Sequence, residues 1–307
     1  MRVAIIHYWL VGMRGGERVL EQLCLMFPQA DIYTHVSDPA KLSPLLRRHR
    51  IFETFIAKLP GAKKHYQKYL PLMPYALEQL DLSEYDLVLS SESGPAKGVI
   101  CNPDTPHLCY THSPMRYIWD QYHAYRADLS APMRWMWTLV SHKLRIWDVA
   151  SSNRVDRYVA NSSFVAKRVR RCWGRDSDVV HPPVDLEAYQ PAPMPGPDAP
   201  YLFLSELVPY KRADLAIQAA QKAGRKLKVV GSGSDMERLK KLAGPETEFL
   251  GRVPDEKMRA LYHSCRALLF PGVEDFGIVT LEAMACGRPV LAYGRGGALD
   301  TVKDGET

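Results

Sequence analysis

The sequence predicts an α/β protein built from two Rossmann-like domains, each with a parallel sheet. Short apolar runs alternate with helix-like stretches along the chain, which is the pattern of parallel strands covered by helices. The proline-rich stretch at residues 190–200 can form neither a helix nor a central strand. We therefore expect a first domain at residues 1–189, a linker at 190–200 and a second domain at 201–307. The ligand site is expected in the cleft that the two parallel sheets face.

The predicted strands are short apolar runs that end at turn residues. In the first domain they lie at residues 2–7, 86–90, 107–110 and 157–160, and in the second at 201–204, 226–230, 247–250, 267–270 and 289–292. In such sheets, ligands bind beyond the carboxyl ends of the strands, so the loops at those ends are the first place to look for function.

The composition is that of a globular enzyme, because 46% of the 307 residues are hydrophobic and 24% are charged. No apolar stretch approaches the roughly 18 residues that span a bilayer, and the start MRVAII is expected to form a buried strand rather than a signal peptide. The six cysteines form no Cys-x-x-Cys pair, so neither a zinc site nor a disulfide framework is indicated. We expect reduced thiols and a cytoplasmic protein.

The run EDFGIVTLEAMACGRPVLA carries two carboxylates, Glu274 and Glu282. Glu274 would lie in a loop after the strand ALLFPG, and Glu282 on a helix that begins at about Val279, so that both face one cleft. The backbone N–H groups of residues 276–278 would mark the helix start, where a diphosphate or a polar sugar can be held. Two acids beside an anion site indicate a nucleotide-sugar donor, with one acid on the sugar hydroxyls and the other on the ribose. The alternative is that Glu282 is an ordinary helix residue and Glu274 a first-turn acid favoured by the helix dipole.

Glycines follow two predicted strands. Gly12, Gly15 and Gly16 stand just before an amphipathic helix near the amino terminus. Glycines there would let the backbone approach a ligand, and the helix start would offer N–H groups to a phosphate; the alternative is a tight turn without a ligand. Gly231 and Gly233 lack the third glycine of a dinucleotide motif, so they are weak evidence for a dehydrogenase.

Two loops carry further candidates. His112 and Lys211 each follow a predicted strand, and a lysine at such a position can place a point charge on a diphosphate. Taken alone, a loop histidine or lysine is more often a solvated side chain. Tyr117 and Trp119 could line the path of an acceptor, although aromatic residues at such spacings are more often core.

These motifs together resemble the retaining glycosyltransferases of family 4, which have the GT-B fold. The resemblance is carried by the Glu, seven residues, Glu pattern at 274–282 and by HYWLVGMRGGERVLE, YTHSPMRYIW, YVANSSFVAKRV, HPPVD and LVPYKRADLAI, so it covers most of the chain. It implies three catalytic residues, in which His112 reaches the transferred sugar, Lys211 binds the phosphates and Glu274 orients the sugar hydroxyls. The sugar-donor site that it implies comprises Gly15, Gly16, Lys211, Arg212, Gly231, Arg252, Val253, Glu274, Asp275, Phe276, Gly277, Ile278, Val279 and Glu282. Arg252 and Val253 are expected at the base, and Arg14, Tyr117 and Trp119 on the acceptor side.

The resemblance also implies transfer with retention of configuration, by same-face attack in which the leaving phosphate takes the acceptor proton. The forms Glu-Asp-Phe-Gly at 274–277 and Gly-Met-Arg-Gly-Gly-Glu at 12–17 look most like bacterial mannosyltransferases of surface-polysaccharide synthesis. GDP-mannose is therefore the expected sugar donor, with a UDP-sugar as the alternative, and a glycan or lipid-linked oligosaccharide is the expected acceptor. Neither a metal nor another cofactor is expected, because Asp176-Ser177-Asp178 is interpreted as a surface turn.

The sequence departs from the family pattern in two places. Glu206 stands where the family usually has an arginine, so Lys211 and Arg212 would carry more of the leaving-group charge. Family members also continue past a motif like VKDGET, so a return helix is expected to be missing. A truncated relative that binds a nucleotide sugar or a membrane without transfer therefore remains an alternative. A sugar-nucleotide epimerase of similar fold is disfavoured by the motif at 274–282.

A basic, aromatic-rich segment at residues 47–80 carries much of the net charge of +6. Such a segment can lie on an anionic membrane surface, with Leu, Tyr and Met side chains toward the acyl boundary. This contact would place the protein at the inner face of the cell membrane. The alternative is a solvated helix face. No nucleic-acid motif accompanies the segment, so nucleic acid is not an expected partner.

Overall fold

The structure, a computed structural model, describes residues 1–127 and 129–307. The chain forms two compact units, Met1–His181 and Pro182–Thr307. Each unit is an α/β layer around a fully parallel sheet, so the predicted fold class is confirmed.

The first unit has a seven-stranded sheet in the order β3-β2-β1-β4-β5-β6-β7. The strands are β1 (Val3–His7), β2 (Asp31–Thr34), β3 (Ile51–Glu53), β4 (Leu87–Glu92), β5 (His107–Thr111), β6 (Arg157–Ala160) and β7 (Asp178–Val179). Alternate residues of β1 pack into separate apolar clusters, Val3 and Ile5 in one and Ala4 and Ile6 in the other. Both faces of the sheet are therefore covered, which explains why its central strands read as continuous apolar runs. The strand order reverses between β1 and β4, where open α/β sheets bind ligands.

Three strands of the first unit are absent from the prediction, and each lacks an apolar run. β2 opens with Asp31, whose carboxylate accepts two hydrogen bonds from the Arg50 guanidinium at 2.8 and 2.6 Å. β3 has three residues and exposes Phe52 and Glu53. β7 has two exposed residues. Short strands that present polar or exposed residues give no period-two signal, so the sequence pattern does not reveal them.

Six α-helices cover this sheet in the described part of the unit. They are α1 (Gly15–Met26), α2 (Ala62–His65), α3 (Met73–Glu78), α4 (Tyr122–Ala127), α5 (Ala131–Ser152) and α6 (Ser163–Trp173). Helix α1 buries Leu20 and Cys24 against the apolar residues of β1 and β2. Helix α6 begins after Ser162, whose hydroxyl oxygen accepts the backbone N–H of Val165 at 3.0 Å and so caps the helix.

The second unit has a five-stranded sheet in the order β10-β9-β8-β11-β12. Its strands are β8 (Tyr201–Leu204), β9 (Leu227–Val230), β10 (Thr247–Gly251), β11 (Leu268–Phe270) and β12 (Val290–Ala292). Its helices are α7 (Ala213–Lys222), α8 (Met236–Leu242), α9 (Asp255–Ser264), α10 (Ile278–Ala285) and α11 (Ala298–Thr301). All five predicted strands of this half are present. The strand order reverses between β8 and β11.

The proline-rich segment at residues 190–200 belongs to the second unit, since the units divide between His181 and Pro182. Arg288 is 1% exposed and donates hydrogen bonds to the carbonyl oxygens of Ala192 and Pro193 at 2.7 and 2.8 Å. The predicted boundary at 189/190 therefore differs from the structure. Proline excludes helix and strand but leaves carbonyl oxygens that a buried guanidinium can bind, so the segment packs without regular structure.

The basic segment at residues 47–80 is partly core. Leu70, Met73 and Leu77 are buried and so are not available to a membrane, whereas Leu72 and Tyr75 are exposed. Lys63 and Lys64 are exposed, as the solvated-face alternative requires. Membrane contact stays a prediction, and co-sedimentation with anionic vesicles would check it. Within residues 1–127 and 129–307, no helix is both long and apolar enough to cross a membrane.

Candidate functional site

An ion pair joins Lys211 and Glu274 at the carboxyl edge of the second sheet. Lys211 ends a short 3-10 turn after β8, and Glu274 lies in the loop after the neighbouring strand β11. The Lys211 ammonium contacts the Oε2 atom of Glu274, and the two side chains are only 14% and 16% exposed. The loops can approach so closely because residue 272 is glycine, where a methyl group would lie 2.8 Å from the Lys211 carbonyl oxygen. The structure thus brings two sequence-predicted residues together at the point where the strand order reverses.

Glu282 lies on α10, and Tyr262 of α9 holds its carboxylate. The Tyr262 hydroxyl donates a hydrogen bond of 2.8 Å to the Oε2 atom of Glu282. The tyrosine side chain is fully buried, and burial, together with the Glu282 charge, raises its pKa well above the ordinary value. Tyr262 therefore stays protonated and can only donate to the carboxylate. Sequence reasoning did not find this residue, because the position gives no signal beyond an apolar helix face.

Helix α10 begins at Ile278, one residue earlier than predicted. Gly277 precedes it with a φ of 85°, and a methyl group there would lie 2.4 Å from the Phe270 ring. The Thr280 amide and hydroxyl both donate to the Gly277 carbonyl, at 2.9 and 2.8 Å. Ile278 and Val279 precede Thr280 in the first turn of α10, where backbone N–H groups have no acceptor within the helix. This is the helix start at which the sequence predicts anion binding.

Two glycines support the loop from Glu274 to Phe276. The Gly297 amide donates to the Glu274 carbonyl at 2.8 Å, and a methyl group on Gly297 would lie 2.2 Å from the Asp275 carbonyl oxygen. A methyl group on Gly296 would lie 2.5 Å from the Glu274 carbonyl oxygen. The sequence analysis missed both glycines, although the run GRGG after the last strand is a signal for close backbone approach.

The Gly-x-Gly turn after β9 is explained by packing within the unit. Gly231 has a φ of 134°, and a methyl group there would lie 1.8 Å from the Ser205 carbonyl oxygen. Arg252, expected near the base, donates from Nε to the hydroxyl oxygen of Ser232 at 2.8 Å. Val253 is partly buried against an apolar cluster that includes Leu268 and Phe270 of β11. The roles of Gly231, Arg252 and Val253 toward a nucleotide stay predictions.

Arg212, the other cation expected at the phosphates, pairs with Asp214. Its guanidinium bonds both carboxylate oxygens of Asp214 on its own helix, at 3.1 to 3.3 Å. A local carboxylate thus balances the Arg212 charge, and its contact with a phosphate stays a prediction. Glu206 is exposed in the loop after β8.

His112 lies at the carboxyl edge of the first sheet, directly after β5. Its backbone N–H donates to the Glu92 carbonyl at 2.8 Å, and its carbonyl accepts the Asn161 side-chain amide at 3.1 Å. Its Nε2 atom is 2.9 Å from the hydroxyl oxygen of Ser91, near the end of β4. The backbone and the ring of His112 are thus held by neighbouring strands.

The predicted glycine loop before α1 is the first turn of the helix itself, since α1 begins at Gly15. A methyl group on Gly16 would lie 2.4 Å from the Tyr8 hydroxyl oxygen and 3.7 Å from Nε2 of His112. No described atom lies within 4 Å of a methyl group on Gly15. Packing against Tyr8 therefore explains the glycine at position 16. Gly15 and Arg14 are exposed.

Trp119 and Tyr117, expected on the acceptor side, both make packing contacts within the first unit. The Trp119 indole N–H donates to the Oδ2 atom of Asp148, a fully buried residue of α5, at 2.7 Å. Tyr117 packs in the same apolar cluster, with its ring 6.3 Å from that of Trp137. The core alternative therefore fits both residues better than the acceptor-side prediction.

A metal site is not indicated by the described residues, since no group of three or more His, Cys, Asp or Glu side chains in that part of the chain could hold an ion. The carboxylates of Asp176 and Asp178 instead pair with Arg170 at 2.6 Å and with Arg157 at 2.8 Å. These residues lie on the surface, as expected, but Asp178 opens β7, so the segment is not a turn.

Residues 13–188 match the family described as Glycosyltransferase Family 4, and residues 190–307 match the one described as Glycosyl transferases group 1. The chain belongs to glycosyltransferase family 4. Among curated relatives, the D-inositol 3-phosphate glycosyltransferase of Nocardia farcinica is 33% identical over 50% of this chain and 40% of its own length. The enzyme of the same name from Mycobacterium tuberculosis strain F11 is 31% identical over 50% of this chain and 37% of its own length. The alignments thus span less than half the length of these family 4 relatives.

Solved structures share the fold. Alr3699/HepE of Anabaena, in complex with UDP, has a TM-score of 0.71 at 19% identity, covering 99% of this chain and 84% of that one. Sucrose-phosphate synthase of Thermosynechococcus elongatus has a TM-score of 0.69 at 18% identity, covering 100% of this chain and 84% of that one. At these identities the likeness supports the GT-B fold of the family 4 chain.

Proposed function

We propose that the protein is a retaining glycosyltransferase that transfers a sugar from a nucleoside diphosphate sugar. The observation that carries the proposal is the ion pair of Lys211 and Glu274 where the strand order of the second sheet reverses, in the loop that leads into α10, the helix that carries Glu282. Together these elements supply an ammonium group, two helix-start N–H groups and two carboxylates. Those are the groups that a diphosphate, a hexose and a ribose need.

The charges of this site suit departure of a diphosphate. In the structure Glu274 balances the Lys211 charge, so the ammonium is held in place at little cost before a ligand arrives. A bound diphosphate would share that ammonium and the N–H groups of Ile278 and Val279, and these stabilise the charge that grows on the leaving oxygen. Glu274 would then accept hydrogen bonds from the sugar hydroxyls. Retention follows from same-face attack, in which the leaving phosphate takes the acceptor proton.

The motifs Glu-Asp-Phe-Gly at 274–277 and Gly-Met-Arg-Gly-Gly-Glu at 12–17 favour GDP-mannose as the sugar donor. A UDP-sugar is the second candidate, because solved structures of Alr3699/HepE contain UDP, UDP with glucose, and UDP-glucose. A glycan or lipid-linked oligosaccharide is the proposed acceptor, and the exposed Arg14 beside the open Gly15 could meet an anionic group on it.

Assays with a panel of GDP- and UDP-sugars would test the proposal. We expect donor hydrolysis or transfer with one of them, and a product whose anomeric configuration, determined by NMR, equals that of the donor. A product with the opposite configuration would exclude retention. Nucleotide binding with no turnover of any panel member would favour the non-catalytic alternative.

Replacing Glu282 by Ala is expected to raise the KM of the sugar donor more than it lowers kcat, because the ribose contact is made equally in the ground state and the transition state. Loss of a hydrogen bond to a charged group costs about 1.5–3 kcal/mol, so KM should rise by roughly 10- to 150-fold. Tyr262→Phe should act in the same direction but more weakly, since it only loosens the carboxylate. Glu237→Ala, on the exposed face of α8, is the matched control and should leave both constants unchanged. A fall in kcat without a change in KM would rule out the ribose role.

A further inference from the structure

A chain of buried polar side chains leads from His112 into the first sheet. The hydroxyl oxygen of Ser91 lies 2.9 Å from Nε2 of His112 and 3.0 Å from Nδ1 of His7. The other ring nitrogen of His7, Nε2, lies 3.8 Å from the Oε1 atom of Glu17. Glu17 also accepts the backbone N–H of Arg14 at 2.9 Å, at the start of α1. His7, Ser91 and Glu17 are 2% exposed or less.

The sheet topology makes this chain. His7 ends β1, and the parallel register pairs it with Ser91 of β4. His112 follows β5, which is the next strand along. Three adjacent strand ends therefore meet where the strand order reverses, and Gly16 lets the first turn of α1 approach Tyr8 and His112 without a clash. The N-terminal turn of α1 thus contributes both Glu17 and the space for the histidine ring.

We propose that Glu17, His7 and Ser91 are positioning residues that orient the His112 ring and keep its proton on Nε2. The inference rests on the proposed function, in which His112 lies beside the transferred sugar.

The direction of the proton follows from Glu17. Burial alone would raise the pKa of Glu17, but the neighbouring His7 and the backbone N–H groups hold it below its ordinary value, so the group is an anion that can only accept. A hydrogen on Nε2 of His7, which faces this anion at 3.8 Å, leaves Nδ1 to accept the Ser91 hydroxyl. The Ser91 oxygen in turn accepts the hydrogen on Nε2 of His112. The His112 ring is thereby held with its hydrogen on Nε2 and in a fixed orientation.

The neighbouring residue on β4 offers a matched control. Ser90 points to the opposite face of the sheet, and its hydroxyl oxygen lies 2.9 Å from Nε2 of a different buried histidine, His107. Ser90→Ala removes one serine–histidine contact, to His107, whereas Ser91→Ala removes two, to His112 and to His7. Only Ser91→Ala should therefore affect His112.

The test combines kinetics with 15N NMR of the full chain labelled at histidine, recorded at pH 8. In the wild type we expect His112 to carry its proton on Nε2 alone. Ser91→Ala should mix the two tautomers and lower kcat by about 10- to 100-fold with an unchanged KM for the sugar donor, as for other residues that orient a functional histidine. Ser90→Ala should change neither quantity, and Glu17→Gln, which can still accept the Arg14 N–H, should mix the tautomers without unfolding the protein.

A wild-type His112 with its proton on Nδ1, or an unchanged tautomer in both Ser91→Ala and Glu17→Gln, would overturn the proposal. Equal losses of kcat in Ser90→Ala and Ser91→Ala would also overturn it, because they would indicate a structural role only. The NMR experiment needs no sugar donor. Absence of transferase activity would therefore refute the proposed function. The spectra would still show whether Glu17, His7 and Ser91 fix the tautomer of His112.

Discussion

Lys211→Met is expected to lower kcat/KM for the sugar donor by about 100- to 1,000-fold, which is the usual effect of removing one group that stabilises charge in the transition state. The structure gives two reasons for so large an effect. Lys211 is the cation that the site brings next to Glu274, since Arg212 is bonded to Asp214. The substitution also leaves the Glu274 carboxylate, only 16% exposed, without its ammonium partner and close to an incoming diphosphate.

Arg212→Met is the matched control for this prediction. It removes a positive charge from the adjacent residue but leaves the ion pair of Lys211 and Glu274 intact, so kcat/KM should change by less than about threefold, as expected for an exposed local pair. Steady-state kinetics over a range of donor concentrations would compare the two variants. Similar losses in both would show that general positive charge, rather than the placed ammonium, carries the activity.

Asp148→Ala is expected to lower the free energy of unfolding by about 3–5 kcal/mol, because it leaves a buried charge without its partner. The Asp148 carboxylate contacts the fully buried Lys97 ammonium and accepts the indole N–H groups of Trp119 and Trp173, each at 2.7 Å. The other nearby carboxylate, Glu92, is a weaker partner than Asp148, because it lies 3.9 Å from the Lys97 ammonium and because, in the wild type, burial raises its pKa to about 7.

Urea unfolding would measure this effect. Asp178→Ala is the control, because it breaks an aspartate–arginine pair of which both members are exposed, and it should cause no measurable change. Equal unfolding midpoints for wild type and Asp148→Ala would show that the buried network does not stabilise the fold. Asp148→Ala also removes the carboxylate that accepts the Trp119 indole N–H, so it should loosen the packing of Trp119 against α5.

The sequence predicted site residues that lie in the loops after apolar strands. Glu274 and Lys211 each follow an apolar strand directly, and parallel strands bring such loops to one edge, so their proximity could be expected. Strand register and side-chain partners could not be predicted. Tyr262 reaches Glu282 from a separate helix, and the pairing of His7 with Ser91 depends on how two distant strands align.

Two further orientations could not be predicted from the sequence. Tyr117 and Trp119 allowed both an acceptor-side and a core interpretation, and only the position of α5 shows that they pack in an apolar cluster. The Arg212 side chain could equally have faced a phosphate, but Asp214, two residues later, binds it. In both cases a tertiary or short-range polar partner decided an orientation that spacing alone leaves open.

Thermal unfolding in the presence of GDP and of UDP tests the central claim most directly, namely that Lys211 and Glu282 hold a nucleoside diphosphate at the start of α10. One nucleotide at about 100 times its dissociation constant should stabilise the wild type by roughly 2.7 kcal/mol. The same nucleotide should stabilise Lys211→Met and Glu282→Ala much less, and Arg212→Met and Glu237→Ala as much as the wild type. Failure of both nucleotides to raise the unfolding temperature, or an equal rise in all of these variants, would contradict the account.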